Sequence, residues 1–362
     1  MTSERISRLL RDHPLVDGHN DLPIAMYELC GYDLDKIDLG GDVPGLNTDL
    51  PRLAAGQVGA QFWSLWVPPK PQAEAVHRTL EQIDFVYRLV ERFPDRLRLA
   101  VSADDVETAF RAGQVASLMG MEGGQSIDGS LGVLRMMRTL GVRYMTLTHN
   151  DNLPWADSAT DEPVLGGLSE FGEQVVAEMN RIGMLVDLSH VSADVMRHAL
   201  RVTSKPVIFS HSSARAICDV PRNVPDDVLT SLAANDGVCM VTFVPMFVSQ
   251  RLVDWVAEMT GSDAAPPPTS MAALREKFGV EPPAATLDEV VRHVEHVREV
   301  AGIDHVGVGG DYDGCPDFPP ELPDVASYPV LFEALAERKW SDADLAKLAG
   351  GNVLRALRAA DD

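Results

Sequence analysis

Histidines and carboxylates in this chain recur at the ends of short apolar segments. Four of the ten histidines follow such segments, and so do three carboxylates. In chain order these residues are His19, Asp21, Glu122, His149, His190, His211 and Asp311. Imidazole nitrogens and carboxylate oxygens are the ligands that Zn²⁺ and similar divalent ions select. The pattern therefore indicates a metal site, provided that the fold brings these segment ends together.

This set is larger than one catalytic zinc ion requires, because such an ion keeps about three protein ligands and an open position. Two cations about 3.5–4 Å apart would polarise a carbonyl group and hold a hydroxide between them. His19 and Asp21 point the same way along a strand and can serve one ion. His190 and His211 can serve the other, with Glu122 as the bridge. We expect a carboxylate bridge rather than a modified lysine, because none of the six lysines ends an apolar segment.

Eight mostly apolar segments alternate with segments of helical periodicity. The apolar segments are residues 14–21, 58–67, 115–124, 142–150, 184–190, 206–213, 237–244 and 304–314. Ser169, Ser192 and Thr286 stand where helix N-caps belong. This alternation predicts a (β/α)₈ barrel, in which the carboxyl ends of the strands line one mouth. A doubly wound open sheet is the alternative, since periodicity alone does not demonstrate closure.

We predict one domain, residues 1–362, with two long connections. Residues 31–57 are acidic and rich in glycine, and residues 245–285 contain the run AAPPPT. Connections of this length in a compact domain are usually lids or linkers, so we expect both to wall a pocket. Trp66 and Trp155 are further candidate walls, whereas Trp63 is expected to be a buried aromatic of the barrel.

The charge balance excludes two classes of partner. Lys plus Arg number 31 and Asp plus Glu number 54, which gives a net charge of −23. Nucleic acids and anionic membranes both require a clustered excess of basic residues. The polar N-terminus carries no secretory signal, so we expect a cytoplasmic protein. Free thiols are the default in that compartment, although Cys218 and Cys239 could pair in principle.

Three other motifs are weaker. His293 and His296 lie three residues apart on a predicted helix, where we favour a solvated face over a metal site. The segment GVGGDYDG lacks the spacing of a dinucleotide-binding loop, and no GxSxG motif of a serine nucleophile is present.

Seven segments resemble, in this order, the membrane (renal) dipeptidase family of zinc metallopeptidases. They are VDGHNDLP, MGMEGG, LTHNDNLPWADSA, GMLVDLSHVS, VIFSHSSARA, PRNVPDDVL and HVGVGGDYDG, which extend from residue 16 to residue 314. The resemblance implies a (β/α)₈ TIM barrel of the metal-dependent amidohydrolase type. It also implies two Zn²⁺ ions per chain and hydrolysis of dipeptides, which in some relatives carry a D-residue at the C-terminus. A bacterial-type cytoplasmic member and a homodimer are further expectations.

The resemblance also implies roles for individual residues. His19 and Asp21 hold one zinc ion, His190 and His211 hold the other, and Glu122 bridges them. Three more residues act on the substrate. His149 contacts its carbonyl group, Arg222 holds a carboxylate or carbonyl, and Asp311 meets the free amine and transfers protons. Asp313 is the alternative to Asp311, since it lies only two residues further on.

Two other functions compete with dipeptide hydrolysis. A binuclear-metal amidohydrolase on the same scaffold could act on N-acyl amino acids, lactams or lactones, because a fold alone does not set the chemistry. A metal-binding protein without turnover would retain the same ligand types. A requirement for a free amine in the substrate separates a dipeptidase from the first alternative.

Overall fold

The computed structural model describes residues 3–68, 74–261 and 270–362, so the AAPPPT run lies outside the described residues. Its strands form one parallel sheet in the order β2-β1-β9-β8-β7-β6-β5-β4-β3, with an additional pairing of β2 with β4. The strands are β1 (Leu15–Asn20), β2 (Val58–Trp66), β3 (Leu97–Leu99), β4 (Val115–Glu122), β5 (Val142–Thr146), β6 (Leu185–Asp187), β7 (Ile208–Phe209), β8 (Val238–Val241) and β9 (Val306–Val308).

The pairing of β2 with β4 closes a ring of eight strands. The predicted (β/α)₈ barrel is therefore confirmed, and the open-sheet alternative is wrong. The eight ring strands fall within the eight predicted segments, although most are shorter than those segments. The remaining strand, β3, pairs only with the first residues of β4, from Val115 to Ser117. Its three residues are too few to give a recognisable apolar pattern.

Helices cover the barrel and fill several of its connections. They are α1 (Glu4–Asp12), α2 (Leu22–Cys30), α3 (Leu50–Ala55), α4 (Ala75–Arg92), α5 (Ala103–Arg111), α6 (Leu131–Thr139), α7 (Glu170–Ile182), α8 (Ala193–Val202), α9 (Asp226–Ala234), α10 (Pro245–Val248), α11 (Gln250–Thr260), α12 (Met271–Phe278), α13 (Leu287–Ala301), α14 (Tyr328–Glu337), α15 (Asp342–Ala346) and α16 (Asn352–Asp361). Within the described ranges, none of these helices is long and apolar enough to cross a membrane.

Side-chain caps fix where the helices begin. The predicted N-caps Ser169, Ser192 and Thr286 each accept a hydrogen bond from a backbone N–H in the first turn of α7, α8 and α13. Such bonds satisfy N–H groups that have no partner within the helix. Serine N-caps also occur within residues 245–285, where Ser249 caps α11 and Ser270 caps α12. Much of that connection is therefore helical.

The barrel interior is filled by large side chains that require small residues opposite them. Tyr144 of β5 is fully buried and packs against Phe62 of β2, with ring centroids 5.1 Å apart. A Cβ atom added to Gly120 of β4 would lie 2.0 Å from Cζ of the Tyr144 ring. Only glycine at position 120 leaves room for this ring, because such a separation is far below van der Waals contact.

We expect Gly120→Ala to lower the free energy of unfolding by about 1–3 kcal/mol or more, since the added methyl group overpacks the barrel. Chemical denaturation monitored by circular dichroism measures this change. Gly132→Ala on α6 is the matched control, because its Cβ atom would approach no other atom closer than 3.4 Å. Equal effects of the two substitutions would contradict the proposed constraint.

Candidate metal centre

The predicted site residues converge at the carboxyl end of the barrel. His19 belongs to β1 and Glu122 ends β4, whereas His190, His211 and Asp311 lie two or three residues beyond the ends of β6, β7 and β9. This placement follows from a closed parallel barrel, which brings all strand ends to one rim. The structure thus brings together residues from widely separated parts of the chain.

Glu122 lies between two groups of imidazoles. Its Oε2 atom is 3.4 Å from Nε2 of His19 and accepts a hydrogen bond of 3.2 Å from Ser64 Oγ. Its Oε1 atom is 2.9 Å from Nε2 of His190 and 3.4 Å from Nε2 of His211. The two carboxylate oxygens therefore face different histidines, as the predicted bridge between two ions requires.

Carboxylates and one further imidazole complete the cluster. Nε2 of His19 is 3.3 Å from Oδ2 of Asp21 and 3.9 Å from Oδ1 of Asp311. Three overlapping sets have ligand atoms within 4.8 Å of one another. These sets are His19, Asp21 and Glu122; Glu122, His149 and His190; and His19, His211 and Asp311. His149, which the sequence assigns to the substrate, thus lies as close to Glu122 and His190 as a ligand would.

Hydrogen bonds at the outer ring nitrogens orient the three predicted histidine ligands. Nδ1 of His19 lies 2.9 Å from Tyr144 Oη, whose hydroxyl donates to Gly18 O at 3.2 Å. Nδ1 of His211 lies 2.7 Å from Ser210 Oγ, whose hydroxyl donates to a buried carboxylate, Asp187, at 2.6 Å. Each hydroxyl is thus left to accept from the imidazole. These contacts favour a proton on Nδ1 and turn Nε2 toward the cluster.

His190 is oriented in the same way by an amide oxygen. Its Nδ1 atom lies 3.2 Å from Oδ1 of Asn150. Its Nε2 atom then faces Nε2 of His211 at 2.9 Å, which places two lone pairs at hydrogen-bond distance without a proton between them. Nε2 of His19 is buried and makes no hydrogen bond within the described residues. A divalent cation would satisfy these nitrogens, so the residues fit a metal site.

Burial and neighbouring charges shift the pKa values of the cluster residues. Burial lowers the pKa of both His190 and His211 well below the ordinary value, which keeps their imidazoles neutral. For Glu122, burial alone would raise the pKa, but the positive charge of His19 outweighs it and holds the pKa well below its usual range. Burial lowers the pKa of His19 in turn, but Tyr144, Glu122 and Asp21 outweigh it and raise that pKa well above its ordinary value. Neutral His190 and His211 beside an ionised Glu122 are in the protonation states that ligate a metal ion.

The backbone around the cluster adopts conformations that side chains rarely tolerate. His190 and Asp311 have φ angles of 66° each, and Asp313 has 64°. These values lie in the left-handed region, which is unfavourable for residues other than glycine and concentrates at functional sites. A Cβ atom on Gly314 would lie 2.2 Å from Oδ2 of Asp21 and 2.6 Å from Oδ1 of Asp311. Glycine is thus required here for the close approach of the two carboxylates.

Asp311 and Asp313 occupy different environments. Asp311 lies in the cluster, and burial raises its pKa well above the usual range. Asp313 accepts a hydrogen bond of 2.6 Å from the backbone N–H of Asn47, and its own N–H donates to Asn47 Oδ1 at 3.1 Å. Burial raises the pKa of Asp313 to about 7. Asp313 therefore holds the 31–57 connection against the rim.

A cavity of about 310 Å³ opens onto the cluster. This volume is at the small end for ligand pockets. Outside the cluster, its walls include Ile24 and Glu28 of α2, Trp66 at the end of β2, Phe247 of α10 and Cys315. The Trp66 ring packs edge-on against His149, with centroids 5.4 Å apart.

Arg222 lies in the segment after β7, behind Phe247. Its guanidinium donates to Ser212 Oγ at 3.3 Å and to His211 O at 3.4 Å, and its Cζ atom is 5.0 Å from the centroid of the Phe247 ring. Burial lowers its pKa to about 10. Its buried Nε atom meets no hydrogen-bond partner among residues 3–68, 74–261 and 270–362. This guanidinium can therefore still bind an anionic group.

The outer hydrogen-bonding residues were not predicted from the sequence. Tyr144, Asn150, Asp187 and Ser210 orient the histidines, yet none of them was singled out. A signal existed for Asp187, because the segments VDGH and VDLSH both place a buried aspartate just before a site histidine. The hydroxyl partners left no pattern, since isolated Ser and Tyr residues are common in strands.

Several subsidiary expectations are also resolved. Trp63 is fully buried, as expected, whereas Trp155 packs against Phe171 and is not a wall of the cavity. The solvated face expected for His293 is wrong, because this residue is completely buried and hydrogen-bonded at both ring nitrogens.

The structure also answers two other questions, whether His293 and His296 form a metal site and whether Cys218 pairs with Cys239. His296 pairs with Asp226 at 2.8 Å, and neither it nor His293 belongs to a metal-binding cluster of the described residues. Cys218 and Cys239 are free thiols.

Comparisons with known proteins agree with this fold. Dipeptidase 3 of Mus musculus is 42% identical over 361 residues, 98% of this chain and 66% of the relative, so the chain spans about two thirds of this curated relative. The fold matches the probable dipeptidase PvdM of Pseudomonas aeruginosa, with a TM-score of 0.85, 24% identity and coverage of 99% of this chain and 98% of the other. It also matches a metallopeptidase of Rhodobacter sphaeroides bound to a phosphinate mimic of L-Ala-D-Ala, with a TM-score of 0.81, 23% identity and coverage of 96% and 99%.

The sequence profile of the membrane dipeptidase family matches residues 3–362, which is nearly the whole chain. A match of this extent covers every strand of the barrel and every residue of the metal cluster. The chain therefore belongs to the membrane dipeptidase family, peptidase family M19.

Proposed function

We propose that this protein is a metal-dependent dipeptidase that binds two Zn²⁺ ions. The observation that carries the proposal is the position of Glu122, whose Oε1 faces His190 and His211 while Oε2 faces His19. His19 and Asp21 would hold one ion, and His190 and His211 the other. The ions would supply Lewis-acid polarisation of the scissile carbonyl group and a water molecule acidified at neutral pH.

The substrate lies across the barrel mouth in this proposal. Arg222 follows β7 and Trp66 ends β2, and these two strands lie on opposite sides of the eight-stranded ring. The planar guanidinium of Arg222 binds the C-terminal carboxylate, for which its fork of N–H donors is suited. Asp311 binds the free amine, because its carboxylate lies next to the cluster, 3.9 Å from Nε2 of His19, and has no ion pair with a Lys or Arg of the described residues.

Proton transfer is assigned to Asp311 and hydrogen-bond donation to His149. The raised pKa of Asp311, caused by burial, suits a group that takes a proton from the attacking water and returns it to the leaving amine. Burial lowers the pKa of His149 and keeps it neutral, so its N–H donates to the carbonyl oxygen as negative charge develops there. Asp313 is engaged with Asn47 and is not used.

The proposal extends to dipeptides with a D-residue at the C-terminus. Its support is the Rhodobacter sphaeroides metallopeptidase, which shares this fold and binds a mimic of L-Ala-D-Ala. The small cavity is consistent with a substrate of two residues. A cytoplasmic location and a homodimer stay predictions.

We expect hydrolysis of both L,L and L,D dipeptides, with two equivalents of zinc per chain in the active sample. A ninhydrin assay over a dipeptide library, with zinc measured in the same preparation, tests this. Acetylation of the substrate amine should abolish turnover, because Asp311 then loses its cationic partner. Retained turnover of N-acetyl substrates would instead indicate an amidohydrolase acting on N-acyl amino acids.

We expect Glu122→Gln to reduce the zinc content below two ions per chain and kcat/KM by roughly 100-fold or more, because the bridge loses its charge. Metal analysis of the purified variant, together with steady-state kinetics, provides the measurement. Glu170→Gln, an exposed substitution on α7, is the control. Full zinc content with normal turnover in the Glu122 variant would refute the bridge.

We expect Arg222→Met to raise KM about 10–100-fold for dipeptides with a free carboxylate, which is the loss of a charge-assisted hydrogen bond. The same dipeptides with a C-terminal amide should change little. Steady-state kinetics on matched acid and amide pairs makes the comparison. If both substrates suffer equally, Arg222 does not bind the carboxylate.

A further inference from the structure

Two loop segments determine where Arg222 lies. Its guanidinium contacts His211 and Ser212 in the segment after β7, and it lies over the Phe247 ring in the segment after β8. The two hydrogen bonds, of 3.3 and 3.4 Å, are long. The position of the guanidinium therefore depends on how firmly the two segments are held relative to each other.

His293 connects these two segments from outside the barrel. It lies on α13 and is fully buried. Its Nδ1 atom accepts a hydrogen bond of 3.0 Å from the N–H of Ala214, and its Nε2 atom is 3.1 Å from the carbonyl oxygen of Val248. Ala214 follows His211 and Ser212, and Val248 follows Phe247. One imidazole thus joins the backbone on both sides of Arg222.

Both contacts require the same form of the ring. Nδ1 accepts from a backbone N–H and must carry no proton, so Nε2 carries it and donates to Val248. Burial lowers the pKa of His293 to about 4, which keeps the ring neutral. Neutral histidine meets both requirements, because its rigid ring carries one acceptor and one donor at opposite edges. An aliphatic side chain offers neither group, and Lys and Arg offer only donors.

Asn223 makes a second connection between the same segments. Its Oδ1 atom accepts from the N–H of Ser213 at 3.2 Å, and its Nδ2 atom donates to Phe247 O at 2.8 Å. Asn223 is the neighbour of Arg222 in the chain, and its side chain is fully buried. The two connections together hold the Ser212–Ala214 backbone against the Phe247–Val248 backbone.

We propose that His293 is a positioning residue for substrate binding, which acts by holding the segments that carry Arg222 and Phe247. The inference rests on the proposed function in one respect, namely that Arg222 binds the substrate carboxylate. His293 itself touches neither the cavity nor the metal cluster. Its effect is therefore expected in KM rather than in the chemical step.

The test begins with His293→Leu, which removes both hydrogen bonds. We expect KM for dipeptides with a free carboxylate to rise about tenfold, because displaced binding groups lose alignment with the substrate. We expect kcat, zinc content and KM for the C-terminal amides to stay within about twofold of wild type. His296→Leu, on the same helix but paired with Asp226, is the matched control and should leave every value unchanged.

Conservative variants separate the two contacts. His293→Asn retains an acceptor near the Nδ1 position, and His293→Gln retains a donor near the Nε2 position. Each should recover part of the loss in KM, which also keeps the test decisive if the leucine variant folds poorly. In an Arg222→Met background, substitution of His293 should have no further effect on KM, because the two residues act through one contact.

Hydrogen exchange gives a readout that does not depend on turnover. Backbone amides of residues 211–214 and 246–249 should exchange faster in His293→Leu than in wild type and in His296→Leu. Unchanged exchange, or an equal rise in KM for acids and amides, would overturn the proposal. If wild type hydrolysed no dipeptide, the proposed function would fail, and exchange would still decide whether His293 holds the segments.

Discussion

The structure depends on one buried arrangement, in which an ionised carboxylate lies between the imidazole rings of three histidines. Glu122 is almost fully buried, and its two oxygens face His19 on one side and His190 with His211 on the other. Without a cation, the Nε2 lone pairs of His190 and His211 would face one another without compensation. Unpaired polar groups of this kind are costly in a protein interior. A bound cation would compensate these groups.

The surrounding residues maintain this arrangement, because their hydrogen bonds restrict the orientation of the histidine rings. The hydroxyls of Tyr144 and Ser210 accept hydrogen bonds from Nδ1 of His19 and His211, which turns the Nε2 atoms toward the cluster. Asp187 in turn accepts from the hydroxyls of Ser210 and Thr146, at 2.6 and 2.5 Å. The orientation of His211 thus depends on Asp187, which lies two contacts away from it. Outer-shell partners of this kind influence metal affinity almost as strongly as the ligands do.

The sequence predicted the barrel and the residues of the inner cluster because both leave regular patterns. Apolar strands alternate with helices, and metal ligands are residue types that rarely end a strand without reason. Contacts made by a single hydroxyl or amide leave no such pattern, so Tyr144 and Asn150 could not be found. The burial of His293 was also missed, because its helix is charged overall and only the three-dimensional packing shows which face is covered. The capped helices within residues 245–285 were not predicted, because the AAPPPT run between them interrupts the helical periodicity of the segment.

The seam between the first and the last strand of the barrel has a consequence for biosynthesis. Beyond the paired strands, Asp311 N–H donates to His19 O at 3.2 Å, and Asp21 N–H donates to Tyr312 O at 2.9 Å. Ligands from the start of the chain are therefore placed by residues that leave the ribosome nearly three hundred positions later. A nascent polypeptide carries His19 and Asp21 long before the complete coordination site can assemble. The arrangement of His19 and Asp21 is thus completed only after the ninth strand has been synthesised, and a chain truncated before that strand lacks these contacts.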